Sequence, residues 1–517
     1  MINQPFEPYT LHIDEPALEF GYGQECEYAK DGLFFFGPFK PIPGGGNLRF
    51  GVIGTAAGLA RFDEWVGTVR GQISTETDRA HRMAWPGFEA VFGCAMPARP
   101  MAQISVEANA LSEAIRRENR HEGVHEAVTL FEEPLLRYHR EQEATPMFWF
   151  VVVPEEVFKW GRPKQDIPHK QRTKSRLPMR AKQAQALMSG GAGFLFDEVQ
   201  EEAQKTLAVE AYEVNFHHQL KRRLLSSRIA VQVLRETTLA PWVQVDKRGQ
   251  PVRRIDDPAT VAWNICTTAF FKNEGKPWIL KGVRPGVCYV GLVFKQITTQ
   301  PNGDNACCGA QMFLDSGDGV VFRGAIGKWY SEDSRQYHLS GEKAAEIIDT
   351  VIAAYRDEHG VAPREVFVHG RTRFNEEEWN GFLSAAPAGT SVVAVRIRRA
   401  FETKLFRAEG KTPVLRGTAY VVSPKKAFLW SLGYTPRLQT YPGWEVPTPL
   451  EVEVSLGDAD IIQVIKDILG LTKLNYNACI FGDGSPVTLR FADAVGEILT
   501  AGPMDEKLPP LPFRYYI

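Results

Sequence analysis

Apolar residues in this chain gather into short unbroken runs, separated by charged stretches with helical spacing. Met147–Pro154 reads MFWFVVVP, a run of about one strand's length with no polar alternation. Such a run fits a parallel strand covered on both faces. Leu33–Phe39 (LFFFGPF) and Leu48–Gly54 (LRFGVIG) predict shorter buried strands closed by Gly and Pro, with Gly44-Gly45-Gly46 as the loop between them. Ser105–Ala127 is charged and helical in pattern. Phe216–Leu225 predicts a helix, Ser226-Ser227 a break, and Ile229–Leu234 a strand. Strands interleaved with helices predict an α/β, Rossmann-like layer.

A second unit follows Lys281. Cys288–Gln296, Ala306–Leu314 and Gly319–Ile326 read as strands, with Asp315–Gly319 (DSGDG) as the hairpin turn between the last two. Ser340–Gly360 predicts a helix. Ser340 is its N-cap, Ile347, Ile348, Val351, Ile352 and Tyr355 share one face, and Gly360 stops it. Arg364–Gly370 is a strand, a helix starts at Asn375, and Ser391–Arg398 is a strand. Three strands, a helix, a strand, a helix and a strand is the order of an RNase H-like fold. The chain therefore divides into residues 1–283, a Rossmann-like domain with an N-terminal extension, and residues 284–517, an RNase H-like domain. Nucleases of that second shape hold a metal with an Asp in the middle of the first strand. Val293 stands there, and an alkyl side chain offers a hard cation no oxygen.

Composition narrows the picture only a little. The 517 residues carry a formal net charge of −2, so any nucleic-acid surface must be local. One such concentration is Lys159–Lys182. It holds Arg162, Lys164, Lys170, Arg172, Lys174, Arg176, Arg180 and Lys182 against the single acid Asp166, with three prolines. It predicts a loop, either a solvated charged segment or a phosphate-backbone contact. Met1–Pro5 predicts no signal peptide, and the absence of an apolar run of about 18 residues predicts no membrane-spanning helix. Seven scattered cysteines with no Cys-x-x-Cys pair predict reduced structural thiols in a cytoplasm.

The candidate chemistry lies between the two units. His217 and Lys221 are four apart on the predicted helix and share a face. Gln232 interrupts a β-branched strand, and Lys272 precedes a Gly275-Lys276-Pro277-Trp278 turn. Imidazole, ammonium, amide and a second ammonium would suit a terminal phosphate, supplying charge and several donors. A solvated helix face and an edge-strand glutamine would explain the same residues.

Order and context of these residues resemble the MID domain of Argonaute proteins. The resemblance implies that His217, Lys221, Gln232 and Lys272 bind a guide 5′-phosphate. It further implies a Mg²⁺ ion held partly by the C-terminal carboxylate, here Ile517 at the end of an apolar FRYYI tail. The second unit resembles a PIWI domain through Arg416–Thr418, Leu471–Tyr476 and Pro486–Ala492. PIWI nucleases use a tetrad of acids. Its first position falls on Val293, and its second falls after the strand Val366–Val368, in the segment carrying Arg371; Asp493 lies near the last.

The whole chain is similar to the short prokaryotic Argonautes, of the type partnered with TIR-APAZ effector proteins. That similarity implies a non-slicing sensor, not itself an enzyme. It would load a small guide RNA, pair it with single-stranded DNA of invading plasmids or phage, and form a one-to-one heterodimer with an APAZ-containing effector. Activation, by way of a higher oligomer, would deplete NAD⁺ in the partner chain and abort the infection. A sirtuin-like or nuclease effector is the alternative partner. A metal-dependent nuclease using Glu376, Glu377, Glu378, Asp458 or Asp460 is the alternative activity, although these acids read as helix-start and solvent-facing residues. No Gly-x-Gly-x-x-Gly, Gly-x-Ser-x-Gly or P-loop supports a small-molecule α/β enzyme.

Overall fold

The computed structural model describes residues 6–75, 79–165, 204, 206–207, 209, 211–243, 245, 248–249, 251, 255–297, 305–313, 318–327, 329–331, 336–441, 443, 445–503, 508 and 510–517. Of the basic segment, Lys170, Arg172, Lys174 and Arg176 fall outside the described residues, as does part of the expected Asp315–Gly319 turn.

In chain order the elements used below are β1 (Tyr9–His12), α1 (Ala29–Phe36), β2 (Phe50–Thr55), α2 (Ala56–Arg70), β3 (Ala102–Val106), α3 (Ala108–Ile115), α4 (Arg120–Glu141), β4 (Phe148–Val153), α5 (Glu155–Trp160), α6 (Phe216–Leu224), β5 (Val231–Arg235) and α7 (Pro258–Lys272). The second half adds β6 (Val287–Gln296), β7 (Asn305–Phe313), β8 (Asp318–Gly327), α8 (Gly341–His359), β9 (Glu365–Gly370), α9 (Glu376–Ala385), β10 (Ser391–Arg399), β11 (Thr418–Ser423), β12 (Lys426–Leu429), β13 (Leu450–Leu456), α10 (Ile461–Leu471), α11 (Val487–Leu499) and β14 (Leu511–Pro512).

The first sheet runs β3-β2-β4-β5 with every pairing parallel. All six residues of β2 and of β4 are buried, as the unalternating apolar runs predict. Helices cover both faces. Val124, Val128 and Phe131 of α4 and Phe216 and Leu220 of α6 pack on one side, and Phe62 of α2 with Ala262 and Cys266 of α7 lie in the core on the other. This is the Rossmann-like layer.

The second sheet has ten strands in the order β1-β11-β12-β13-β10-β9-β6-β7-β8-β14. Antiparallel β6, β7 and β8 are followed by β9 parallel to β6 and by β10 parallel to β9, the RNase H-like order. Ser340 caps α8 and Gly360 ends it in the left-handed region at φ 74°. Asn375 and Glu378 form a capping box at the start of α9. Gly291 of β6 is required for close approach, because a Cβ there would sit 2.4 Å from the Thr488 backbone of α11.

Two expectations need correction. Leu33–Phe39 is not a strand: α1 ends there at Gly37 (φ 72°), with Leu33 buried and Phe34 and Phe35 exposed. A run of aromatics carries no period, and burial on one side only decided for the helix. Ser105–Ala127 is not one helix either. It holds the end of β3, then α3, then the first part of α4, which restarts at the Asn119 cap and continues to Glu141. The N-terminal extension contributes β1, which lies apart from the first unit's layer. It pairs antiparallel with β11 and forms one edge of the second sheet. Of the cysteines, Cys266 and Cys479 are buried while Cys26 and Cys94 are only partly covered. No helix among the described residues is long and apolar enough to cross a membrane.

Candidate phosphate-binding site

The C-terminal end of the first sheet, where α/β layers bind ligands, opens into a cavity of about 410 Å³. Val153 at the end of β4, Val233 and Arg235 at the end of β5, and the first turn of α6 line it. Asn215 caps α6 by accepting from the His218 amide, so the positive end of the helix dipole faces the cavity. His217 borders this space. His217 keeps solvent access, and desolvation at the cavity wall, followed by the charges of Lys221, His218, Lys272 and Arg162, lowers its imidazole below its ordinary pKa. A neutral ring can donate or accept one hydrogen bond without adding charge.

One turn on, Lys221 is 5% exposed and Lys272, the last residue of α7, is fully buried. Both aim at the chain end. Lys221 Nζ donates to the Tyr516 carbonyl at 2.6 Å. Lys272 Nζ donates to the Arg514 carbonyl at 2.7 Å and to Ile517. Burial pushes Lys221 down to about 7. Lys272 is held well below the ordinary lysine value by burial first, then by Lys221 and Arg514. The apolar tail is anchored as its composition predicts: Phe513, Tyr516 and Ile517 are buried, and Phe513 meets Phe491 edge-on at 4.7 Å.

Lys221, Lys272 and Ile517 therefore converge, and His217 lies within their field. Gln232 is not drawn into that network. It sits on β5 beside Phe150, its Oε1 buried without a hydrogen-bond partner among the described residues. Arg235, absent from the sequence-based candidates, and Arg162, named there only as part of the basic segment, also shape the cavity. Arg235 ends β5 beside Phe158 of α5, its guanidinium 3.5 Å from the ring centroid and its Nε 3.1 Å from Glu155. Arg162 covers the same ring at 4.0 Å. The cue in the sequence was Arg235's position at the carboxyl end of a parallel strand.

For a divalent cation, the carboxylate that the described residues place beside the two lysines is the Ile517 terminus, already engaged by Lys272. No group of three His, Cys, Asp or Glu side chains among the described residues could hold a metal. The residues thus fit a phosphate directly, and would fit Mg²⁺ only with ligand oxygens completing its shell.

Of the positions that the sequence resemblance equates with a nuclease tetrad, Val293 is buried in β6. Arg371 follows β9 and donates to Asp493 at 3.0 Å. Lys295 lies 2.6 Å from the same carboxylate and 3.3 Å from Glu497. Burial would raise the Asp493 pKa, but Lys295 and then Arg371 hold it below the usual carboxylate value. The other acids weighed for a metal lie elsewhere: Glu378 completes the α9 capping box, and Asp460 caps α10.

No protein-family model and no curated protein matches the chain. Solved structures do. Clostridium butyricum Argonaute bound to a guide DNA and a 19-mer target DNA is 15% identical, with a TM-score of 0.62, over 99% of this chain and 55% of that one. Drosophila Piwi is 11% identical with a TM-score of 0.55, over 98% and 56%. Aa-Ago with externally bound siRNA is 12% identical with a TM-score of 0.52, over 98% and 56%. The chain spans about half the length of these structures. The likeness establishes the fold, the MID–PIWI architecture of Argonautes.

Proposed function

We propose that the chain is a guide-binding, non-slicing sensor. The observation that carries this reading is the convergence of Lys221 and Lys272, two buried ammonium groups, on main-chain oxygens of the chain end rather than on acidic side chains. Lys272 already meets the Ile517 terminus, but Lys221 faces a carbonyl dipole, and a buried ammonium held that way keeps a strong preference for an anion. In this reading a guide 5′-phosphate takes up that role, with His217 and Gln232 supplying further hydrogen bonds. The Ile517 carboxylate would be the protein's ligand to a Mg²⁺ ion, which would supply positive charge to offset the repulsion between that carboxylate and the phosphate.

Guide and target pair by bases while the protein holds backbone. Val293 and Arg371 supply no carboxylate for a second metal site, so the paired target stays intact. The output then belongs to a separate effector chain, an APAZ-containing protein of TIR type. The duplex fills the channel between the two chains and favours the assembly in which the effector hydrolyses NAD⁺.

The direct test is a competition between 5′-phosphorylated and 5′-hydroxyl RNA of one sequence. A preference of at least tenfold for the phosphate is expected, and equal affinities remove the assignment. Incubation of the guide-loaded protein with complementary DNA and Mg²⁺ or Mn²⁺ should yield no products. Site-specific products lost on Asp493→Ala would overturn the non-slicing reading. With an effector co-expressed, NAD⁺ loss should require matched single-stranded DNA; equal loss with scrambled DNA rejects the sensor.

A further inference from the structure

Strands β1, β11, β12, β13 and β10 form half of the second sheet, and their two faces differ. Ala419, Val421, Ala427, Leu429, Val452 and Val454 turn inward to the core, where α10 packs on β12 and β13. The alternate residues form the opposite face, and these are polar and aromatic. Register places Arg396 across from Glu453, Arg398 across from Glu451, and Lys426 and Phe428 across from Glu453 and Glu451 on the other side. Tyr420 follows, paired with Phe428 and stacked on it at 6.4 Å and 17°.

The charges on this face are layered. Glu451 is the floor, its side chain 3% exposed, and it takes Arg398 at 2.6 Å, Lys426 at 3.2 Å and Arg396 at 3.4 Å. Glu453 takes Arg373 at 3.0 Å and Arg396 at 3.3 Å. The cations are the outer layer: the Arg373 side chain is 59% exposed and Arg398 is 38% exposed. Glu451 and Glu453 thus orient four cations from below, Glu402, 59% exposed, takes Arg398 at 3.0 Å from the rim, and Arg373, Arg398 and Lys426 reach solvent beside two stacked rings. Lys426 Nζ lies 5.5 Å from the Phe428 centroid and joins the two halves of the face.

The band is continuous with the cluster around Asp493. Arg373 is two residues from Arg371, which holds Asp493. Arg373 in turn shares Glu453 with Arg396 of β10. A strand leaving the cleft at Arg371 meets Arg373, then Arg396 and Arg398, then the rings.

We propose that this open sheet face binds an unpaired polynucleotide strand, the part of the target that runs out of the guide-paired duplex. The inference rests on the guide-binding reading and adds the path of the second strand. Outward cations answer the phosphates, and rings on a sheet surface stack bases whatever their identity. A protein partner on the same face is the competing occupant. Four cations against three carboxylates, Glu402 at the rim 3.0 Å from Arg398 included, leave the face net positive, which favours the polyanion.

The test compares DNA targets fully paired to the guide with targets carrying an unpaired tail at either end, bound to the guide-loaded full chain. One tail should raise affinity by roughly tenfold or more. Tyr420→Leu/Phe428→Leu, which keeps apolar bulk and removes both rings, should erase that gain. Arg373→Gln/Arg398→Gln should reduce it and flatten its salt dependence. Blunt-target affinity and the preference for a 5′-phosphorylated guide should not change in either variant. No gain from a tail, or a gain untouched in both variants, overturns the proposal, as does loss of a bound protein partner with tail binding intact. Failure of the guide-binding reading shows separately, as absence of phosphate preference in the unaltered protein.

Discussion

The proposed phosphate pocket and the cluster around Asp493 both point lysines inward, yet their electrostatics are opposite. Lys221 and Lys272 face carbonyl oxygens and the chain end, and both are pushed down by burial. Lys295 and Arg371 face Asp493, which they hold below its ordinary value, and Lys295 also meets Glu497. Of the first pair, Lys221 meets a carbonyl and Lys272 the chain end, whereas the second pair shares a carboxylate side chain. In the proposed reading that difference separates an anion-binding site from a cluster that is already neutralised. The two are also physically joined: His218, next to His217, lies 3.1 Å from Glu213 and 3.5 Å from Glu497, the partner of Lys295.

The sharpest way to break this contrast is to remove charge from each side. Lys221→Ala or Lys272→Ala should each weaken a 5′-phosphorylated guide by about one to two decades, since a charge-assisted hydrogen bond contributes roughly 1.5–3 kcal/mol. A 5′-hydroxyl guide should lose much less. Lys295→Ala should leave the phosphate preference where it was. If Lys295→Ala matches Lys221→Ala, the two regions do not differ as described.

How much of this was legible beforehand depends on range. His217 and Lys221 announce themselves through helical spacing, and Lys272 through the turn that follows it, because those signals are local. The convergence of both lysines on residues 514–517 is not local and no spacing encodes it. The same holds for β1. Its four residues read as a strand only once β11, some four hundred residues later, is beside them. Arg235 and Phe158 escaped because a cation on a ring looks, in sequence, like any arginine and any phenylalanine. Buried β2, β4 and β6 were readable because a strand covered on both faces needs an unbroken apolar run.

A smaller effect concerns pH. Lys221 sits at about 7, whereas a free lysine is near 10.4. A terminal phosphate gains its second charge near pH 6. The phosphate-specific part of guide binding should therefore be largest between about 6 and 7 and fall as pH rises further and Lys221 loses its proton. Binding near pH 7 should also take up protons, visible as a buffer-dependent enthalpy in calorimetry. A phosphate preference flat from pH 6.5 to about 9 would mean that the ammonium form is not what the ligand selects.

The smallest expected effect lies at the cluster around Asp493 and tests whether its ion pairs matter for stability. Asp493 is partly exposed, and exposed pairs contribute at most about 1 kcal/mol. Lys295→Met should therefore lower stability to urea by less than that at neutral pH. The sign with pH follows from the depressed carboxyl value of Asp493. A carboxylate favoured in the folded state stabilises it above the unfolded value near 3.9, and that contribution fades as pH falls through the lower folded value. The gap between the two proteins should accordingly narrow below about pH 4. A loss of several kcal/mol, or a gap that persists in acid, would assign Lys295 a packing role in the sheet–helix interface. The contrast with Lys221 would then be one of burial rather than of charge pairing.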